Sequence, residues 1–344
     1  MLPKYGRLPL PWWMTGCYYR RTPSATLNER AKNRASFLEY EAREDRIFQQ
    51  RLESRAMTMI YDRSTQDVGN IVKLEHVNVT IPDQSLSTLF YVLGLGCTRD
   101  PYMMVELDNM WINIGRNQMH LPTGEAQRVR GAIGLVMPDL EQLKRRLERV
   151  RPMLAGTAFG FVERGDFVEA TCPWGNRFRC HAPAAEFSET QLAMPYVEFD
   201  VPVTRAERIA RFYREIMGAP AELVARDGAP AAAVFAGAGQ RLYFRETAAP
   251  IAPYDGHHIQ IYISDFSGPY QRLVERQLIT RETDAHEWRF NHIVDLSSNE
   301  PLFMVGHEVR SLRHPLYGRP LVNRNPAQTN RAYLRGQDEF HGRY

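Results

Sequence analysis

Cysteine is scarce in this chain. Four are present, Cys17, Cys97, Cys172 and Cys180, and no pair has the two-residue spacing of a zinc knuckle or redox motif. Cys172 and Cys180 flank a turn, but a chain without a secretory signal is expected to keep such thiols free and buried. No run reaches the roughly 18 apolar residues of a membrane span. Charge of one sign is lacking too. The net charge is +3, and arginine far outnumbers lysine without clustering. Neither the basic patch of a nucleic-acid binder nor a helix-turn-helix signal is present. The N-terminus does not run from charged to apolar as a secretory signal does. These absences lead to the expectation of a soluble cytoplasmic protein. An organellar matrix is the alternative, because residues 1–22 contain no acidic residue.

What is present is ordinary in bulk and patterned in detail. At 344 residues, 44% hydrophobic and 24% charged, the chain can build two cores. Residues 1–22 are Pro-rich and aromatic, and Trp12, Trp13, Tyr18 and Tyr19 suit an arm that docks onto something. Thr26 and Glu29 have capping-box spacing and open a charged helix to about Met57. Its apolar stripe, Ala31, Leu38, Phe48 and Leu52, is thin, so the expected role is a solvated bracket.

From residue 72 a pattern repeats four times: an alternating strand, Pro or Asp punctuation, a helix, then short strands. Unit one runs from Val72 to about Gly124 ("LEHVNVTIPD", helix "QSLSTLFYVLG", then "MMVELDN", "MWINIG" and "NQMHLP"). Unit two runs from Gly131 to about Pro183, unit three from Pro195 to about Glu246, and unit four from Asp255 to about Arg310. The linker "APAAEFSETQLAM" gives the expected boundary between a first domain, 72–183, and a second, 195–310. Before them stands the arm with its polar helix, 1–71, and after them a tail rich in Pro, Asn and Arg, 311–344, expected to wrap the surface.

Four tandem β-α-β-β-β units resemble the vicinal oxygen chelate (VOC) superfamily, which includes glyoxalase I and type I extradiol dioxygenases. The matches are "HVNVTIPD…FYVLGLG", "QMHLPTG…GAIGLVMPDLEQLKRRL", "CPWGNRF" and "RFYREIMGA", and the resemblance covers residues 72–310. It implies an α+β fold of two VOC domains with an N-terminal helical extension. It also implies clefts built by paired units, with ligands on the first and last strand of each.

Aligning the first strands on their punctuation places His76, Ala132, Tyr196 and His258 at one recurring position. Alternation sets His76, Asn78 and Thr80 opposite Val77, Val79 and Ile81, and His258, Gln260 and Tyr262 opposite Ile259, Ile261 and Ile263. On the last strands, Gln118 and His120 share a face in unit one, and Glu308 is the carboxylate candidate in unit four. Arg177, Arg179 and His181 stand at the corresponding strand of unit two, where arginine would repel a cation.

Pairing of the units decides the chemistry, and two pairings stay open. With one against two and three against four, neither cleft holds a full ligand set. With one against four, His76, His258 and Glu308 converge, with His120 or Gln118 as a fourth ligand. That trio suits mononuclear Fe(II), with Mn(II), Zn(II) or Ni(II) as alternatives. Tyr196 and His292 are the acid–base candidates. The expected function is a VOC-type metal-dependent enzyme, dioxygenase- or glyoxalase-like, acting on a small bidentate oxygen substrate. The rival is a metal-free VOC protein that binds a ligand or joins a larger assembly. The expected partners are a small-molecule substrate and, through the N-terminal arm, a homo-oligomer or larger assembly.

Overall fold

The computed structural model describes residues 62–103, 108–188, 190–325, 328 and 331–335, with isolated helical positions at 39, 42, 43 and 46. The expectations for the aromatic arm, the capping box and nearly all of the polar helix fall outside these residues, as do positions 104–107 of "MMVELDN".

Each unit forms where its pattern places it. Unit one gives β1 (Ile71–Asn78), a helix from Gln84 to Ser87 that continues as a wider π-helical turn (Thr88–Gly94), then β2 (Thr98–Arg99), β3 (Asn109–Ile114) and β4 (Asn117–Pro122). Asp83 starts the helix because its carboxylate accepts from the Ser85 and Leu86 amides, which would otherwise lack acceptors. Unit two gives β5 (Gly131–Val136), helix Leu140–Val150, β6 (Gly160–Arg164), β7 (Phe167–Thr171) and β8 (Arg177–His181). Asp139 caps this helix, and Leu143, Leu147 and Val150 form its buried stripe at helical spacing. Unit three gives β9 (Ala193–Pro202), helix Ala206–Phe212 continuing through Tyr213–Met217, β10 (Ala221–Arg226), β11 (Ala229–Phe235) and β12 (Arg241–Thr247). Unit four gives β13 (His258–Ile263), helix Ser267–Glu275, β14 (Ile279–Asp284), β15 (Glu287–Val294) and β16 (Pro301–Ser311). No described helix is long and apolar enough to cross a membrane.

Strand pairing is nested. One eight-stranded sheet runs β14-β15-β16-β13-β1-β4-β3-β2, and the other runs β10-β11-β12-β9-β5-β8-β7-β6. Unit one therefore shares a sheet with unit four, and unit two with unit three. The sequential halves 72–183 and 195–310 do not each form a sheet; every sheet takes one unit from each half. Within all four units the last strand lies parallel to the first, and the paired first strands run antiparallel. The architecture is α+β: two eight-stranded sheets, each built from two β-α-β-β-β units.

The sheets are tied where unit three meets β1. The Gln240 side-chain amide bonds the Leu74 N–H and C=O and the Met194 C=O. Asn117 donates to the Leu74 carbonyl at 2.7 Å and accepts from the Met194 amide at 3.0 Å. Gln240 is thus committed to backbone. Past β16 the chain runs along unit one. Asn323 brackets Gly115, donating to its carbonyl at 2.7 Å and accepting from its amide at 3.0 Å. Arg319 reaches the buried Asp100 at 2.7 Å.

Candidate metal centre

The cleft of the first sheet is built by three adjacent strands. In β1–β13, His76 stands opposite Gln260 and Asn78 opposite His258. In β13–β16, His258 stands opposite Gly306 and Gln260 opposite Glu308. Side chains of His76, His258 and Glu308 therefore rise from neighbouring strands on one face. One donor atom from each lies within 4.8 Å of the other two. Gly306 leaves room for the imidazole beside it, since a Cβ there would come within 2.6 Å of the His258 Cβ.

The state of each donor follows from its surroundings. A register shift between Leu74 and His76 marks a bulge in β1, which breaks the alternation at Glu75. The Glu75 carboxylate can then accept from His76 Nδ1 at 2.7 Å. That bond turns Nε2 toward the cleft, the second-shell arrangement metal-binding histidines usually have. Burial would raise the Glu75 carboxyl, but the His76 hydrogen bond and the nearby Lys73 and Arg310 hold it below its usual range. His76 Nε2 and His258 Nε2 are both buried without a hydrogen-bond partner. His258 Nε2 sits 3.3 Å from Glu308 Oε2. Burial lowers the His258 pKa against the pull of Glu308, which favours the neutral, ligating imidazole.

Glu308 is an ionised carboxylate. Burial opposes its charge, but His258, His76, Arg310 and Arg289 outweigh that and hold its pKa far below the usual range. Arg289 lies 2.5 Å from one of its oxygens and Arg310 2.6 Å from the other. Both arginines also pair with Glu287, at 2.9 and 3.0 Å, forming a checkerboard of two carboxylates and two guanidiniums. A carboxylate has about four lone-pair directions, so two guanidiniums leave room for a metal bond, although they reduce the charge it can offer. Two imidazole nitrogens, one without a partner and one facing only the trio's own carboxylate, fit with that carboxylate a divalent first-row metal of the facial-triad kind.

The other nominated residues fall elsewhere. His120 is beside the trio, its ring centroid 5.8 Å from that of His76. However, its Nδ1 meets Asn78 at 2.6 Å, its Nε2 meets Asn109 at 2.8 Å, and it stacks on Trp111. Gln118 donates to Asp100 and Asn113, and Arg319 approaches its carbonyl oxygen. Both are spent as structural groups. Tyr196 lies on β9 in the other sheet, where its hydroxyl meets His181 Nε2 at 2.8 Å; it is not at the trio. His292 pairs with Met304, four residues along β16 from Glu308. That is about 13 Å along an extended strand, too far for proton transfer at the trio.

Sequence reading missed Glu75, Gln260, Arg289 and Arg310. Gln260 had a signal, since alternation put it on the face of His258. It is fully buried, and neither its amide oxygen nor its nitrogen has a partner. Leaving such a group unsatisfied costs about 2–7 kcal/mol, so it belongs to a site that water or ligand completes. Glu75 had none, because the bulge overrides the alternation.

These features define a four-unit α+β fold carrying one two-histidine, one-carboxylate trio. A scan against family models finds no match, and a search of curated proteins finds none. Among solved structures, the chain is similar to glyoxalase I from Zea mays at 11% identity and TM-score 0.48, covering 70% of this chain and 92% of that one. A variant of that enzyme gives 14% and 0.49 with the same coverage. The 2,2',3-trihydroxybiphenyl 1,2-dioxygenase of Sphingomonas wittichii gives 9% and 0.28, covering 70% and 90%. At such identities and scores no residue's role carries over to this chain.

Proposed function

We propose that the chain is a mononuclear metal-dependent enzyme of VOC type, acting on a small substrate that offers two adjacent oxygens. The observation that carries this reading is the convergence of His76, His258 and Glu308, with His76 Nε2 buried and unpartnered and His258 Nε2 facing Glu308, the trio's own carboxylate, at 3.3 Å. A divalent metal held there would supply Lewis acidity to the paired oxygens. The chain's own residues supply the rest. Glu75 orients His76, and Arg289 and Arg310 keep Glu308 ionised. Gln260, between the strands of His76 and Glu308, has an amide free to orient a substrate oxygen. Acid–base roles for Tyr196 and His292 are not carried forward, because neither reaches the trio.

Iron is the first metal to test, with manganese, zinc and nickel beside it. Elemental analysis and anaerobic titration should give one metal per chain, lost in His258→Ala and in His76→Ala while both variants stay folded. No binding by any of the four metals would leave the metal-free reading. That reading draws on one specific observation, the two guanidiniums already paired with Glu308.

A further inference from the structure

The second sheet curves around a cleft of its own, a cavity of about 310 Å³. Register identifies what replaces the trio there. Ala132 stands opposite Glu198, and Gly134 opposite Tyr196, in β5–β9. Tyr243 faces Glu198 in β9–β12. By position, then, Ala132, Tyr196 and Tyr243 take the places of His76, His258 and Glu308. No metal ligand survives.

A cation of the chain's own stands in their midst. The Arg226 guanidinium lies over the Tyr196 ring at 4.4 Å and over the Tyr243 ring at 4.0 Å. It pairs with Glu198, which is fully buried at the place of Gln260. Arg179 and Arg245 also approach Glu198, each at 3.4 Å. Asp227 pairs with Arg179 at 2.8 Å, and Asp200 pairs with Arg245. Arg241, which lines the cavity, makes no ion pair within 4.0 Å among the described residues; its guanidinium lies over the Phe235 ring at 3.5 Å and donates to the Gln240 carbonyl at 2.9 Å. The cavity's own lining sets the half-buried guanidiniums of Arg179, Arg226 and Arg241 against Asp166, Glu186 and Asp227, all three of them exposed, with Glu198 buried beneath Arg226. Arg177 adds a more exposed charge 3.7 Å from Asp200, and Asp166 and Glu186 lie exposed at the mouth. Charges in water are screened and count for less than the buried ones.

Burial raises the Tyr196 phenol to about 12 and lowers His181 to about 4. Both are therefore neutral at pH 7, and the arginines set the field. Phe167 and Phe187 flank His181 at 5.3 and 4.9 Å between ring centroids, giving the cavity an aromatic wall.

We propose that this second cleft binds a small aromatic monocarboxylate, its carboxylate on Arg226 and Arg241 and its ring on the aromatic wall. Guanidinium forks match carboxylate geometry, and the deeper charges of the cleft are guanidiniums while the carboxylates at its mouth are screened by water. The proposal is independent of the metal site.

Calorimetric titration of the full chain with benzoate, acetate and benzylamine tests it. Benzoate should bind one per chain, at least about tenfold tighter than acetate, and benzylamine should give no saturable heat up to about 10 mM. Arg241→Gln should weaken benzoate about tenfold or more at unchanged melting temperature. Phe187→Ala touches no ion pair, and it should erase the preference for benzoate over acetate. His258→Ala should leave benzoate binding intact. Absence of benzoate binding, equal binding of benzylamine, or indifference to both Arg241→Gln and Phe187→Ala would overturn the proposal. So would loss of benzoate binding in His258→Ala, which would place the ligand in the other cleft.

Discussion

At the residue scale, His76 alone is a polar-face histidine with no stated purpose, and only His258 and Glu308 give it one. Glu308 has two duties. In Glu308→Gln, the buried Arg310 and the half-buried Arg289 would share Glu287 alone, and breaking a buried pair costs about 3–5 kcal/mol. Urea unfolding should show a loss of that order alongside loss of metal. His120→Ala should separate the ligands from their neighbour. With both nitrogens committed to Asn78 and Asn109, its removal should cost stability through the Trp111 stack, about 1 kcal/mol, yet leave metal stoichiometry at one. His181 supplies a pH test. Its folded pKa, about 4, lies below the unfolded value of about 6.5, so the unfolded chain binds more protons between them. Its contribution is full above pH 6.5 and is lost as pH falls toward 4, by at most about 3 kcal/mol. His181→Gln keeps an acceptor for Tyr196 and should flatten that part of the profile of melting temperature against pH.

At the element scale, alternation and capping were legible because they are local. The residues 77, 79 and 81 of unit one and 259, 261 and 263 of unit four are buried as their period demands. Asp83 and Asp139 start helices where the punctuation placed them. Glu75 was not legible, since a bulge depends on the partner strand as much as on the strand itself. Arg289 escaped notice for a related reason: its partner Glu308 lies on a neighbouring strand whose register no turn residue announces. Gly306 carries the element's own prediction. In Gly306→Ala the new Cβ would meet the His258 Cβ at 2.6 Å and the Tyr254 hydroxyl at 2.8 Å. The expected result is a displaced His258, metal affinity down by about tenfold or more, and a stability loss of about 1–3 kcal/mol from overpacking.

At the scale of the whole molecule, the sequence left two unit pairings open because each unit offers the same kind of first-strand edge. The structure joins the outer pair through β1–β13 and the inner pair through β5–β9, pairings that no periodicity records. The segment past β16 adds a further long-range tie. Asn323→Ala should free it from Gly115, and trypsin should then cut at Arg319 and Arg324 sooner than in the parent, with fragments read by mass. Nesting also sets an order of events during synthesis. Every strand of the sheet of units two and three is made once residue 247 has emerged, although Phe199, Phe212 and Phe244 still await Phe290 and Phe303 of unit four. Strand β1, made first, must wait with an open edge for β13, and the trio cannot assemble before β16 leaves the ribosome. A nascent chain stalled after residue 247 should therefore hold the arginine-lined cleft and no metal centre, with β1 as the edge most exposed to aggregation or chaperone capture.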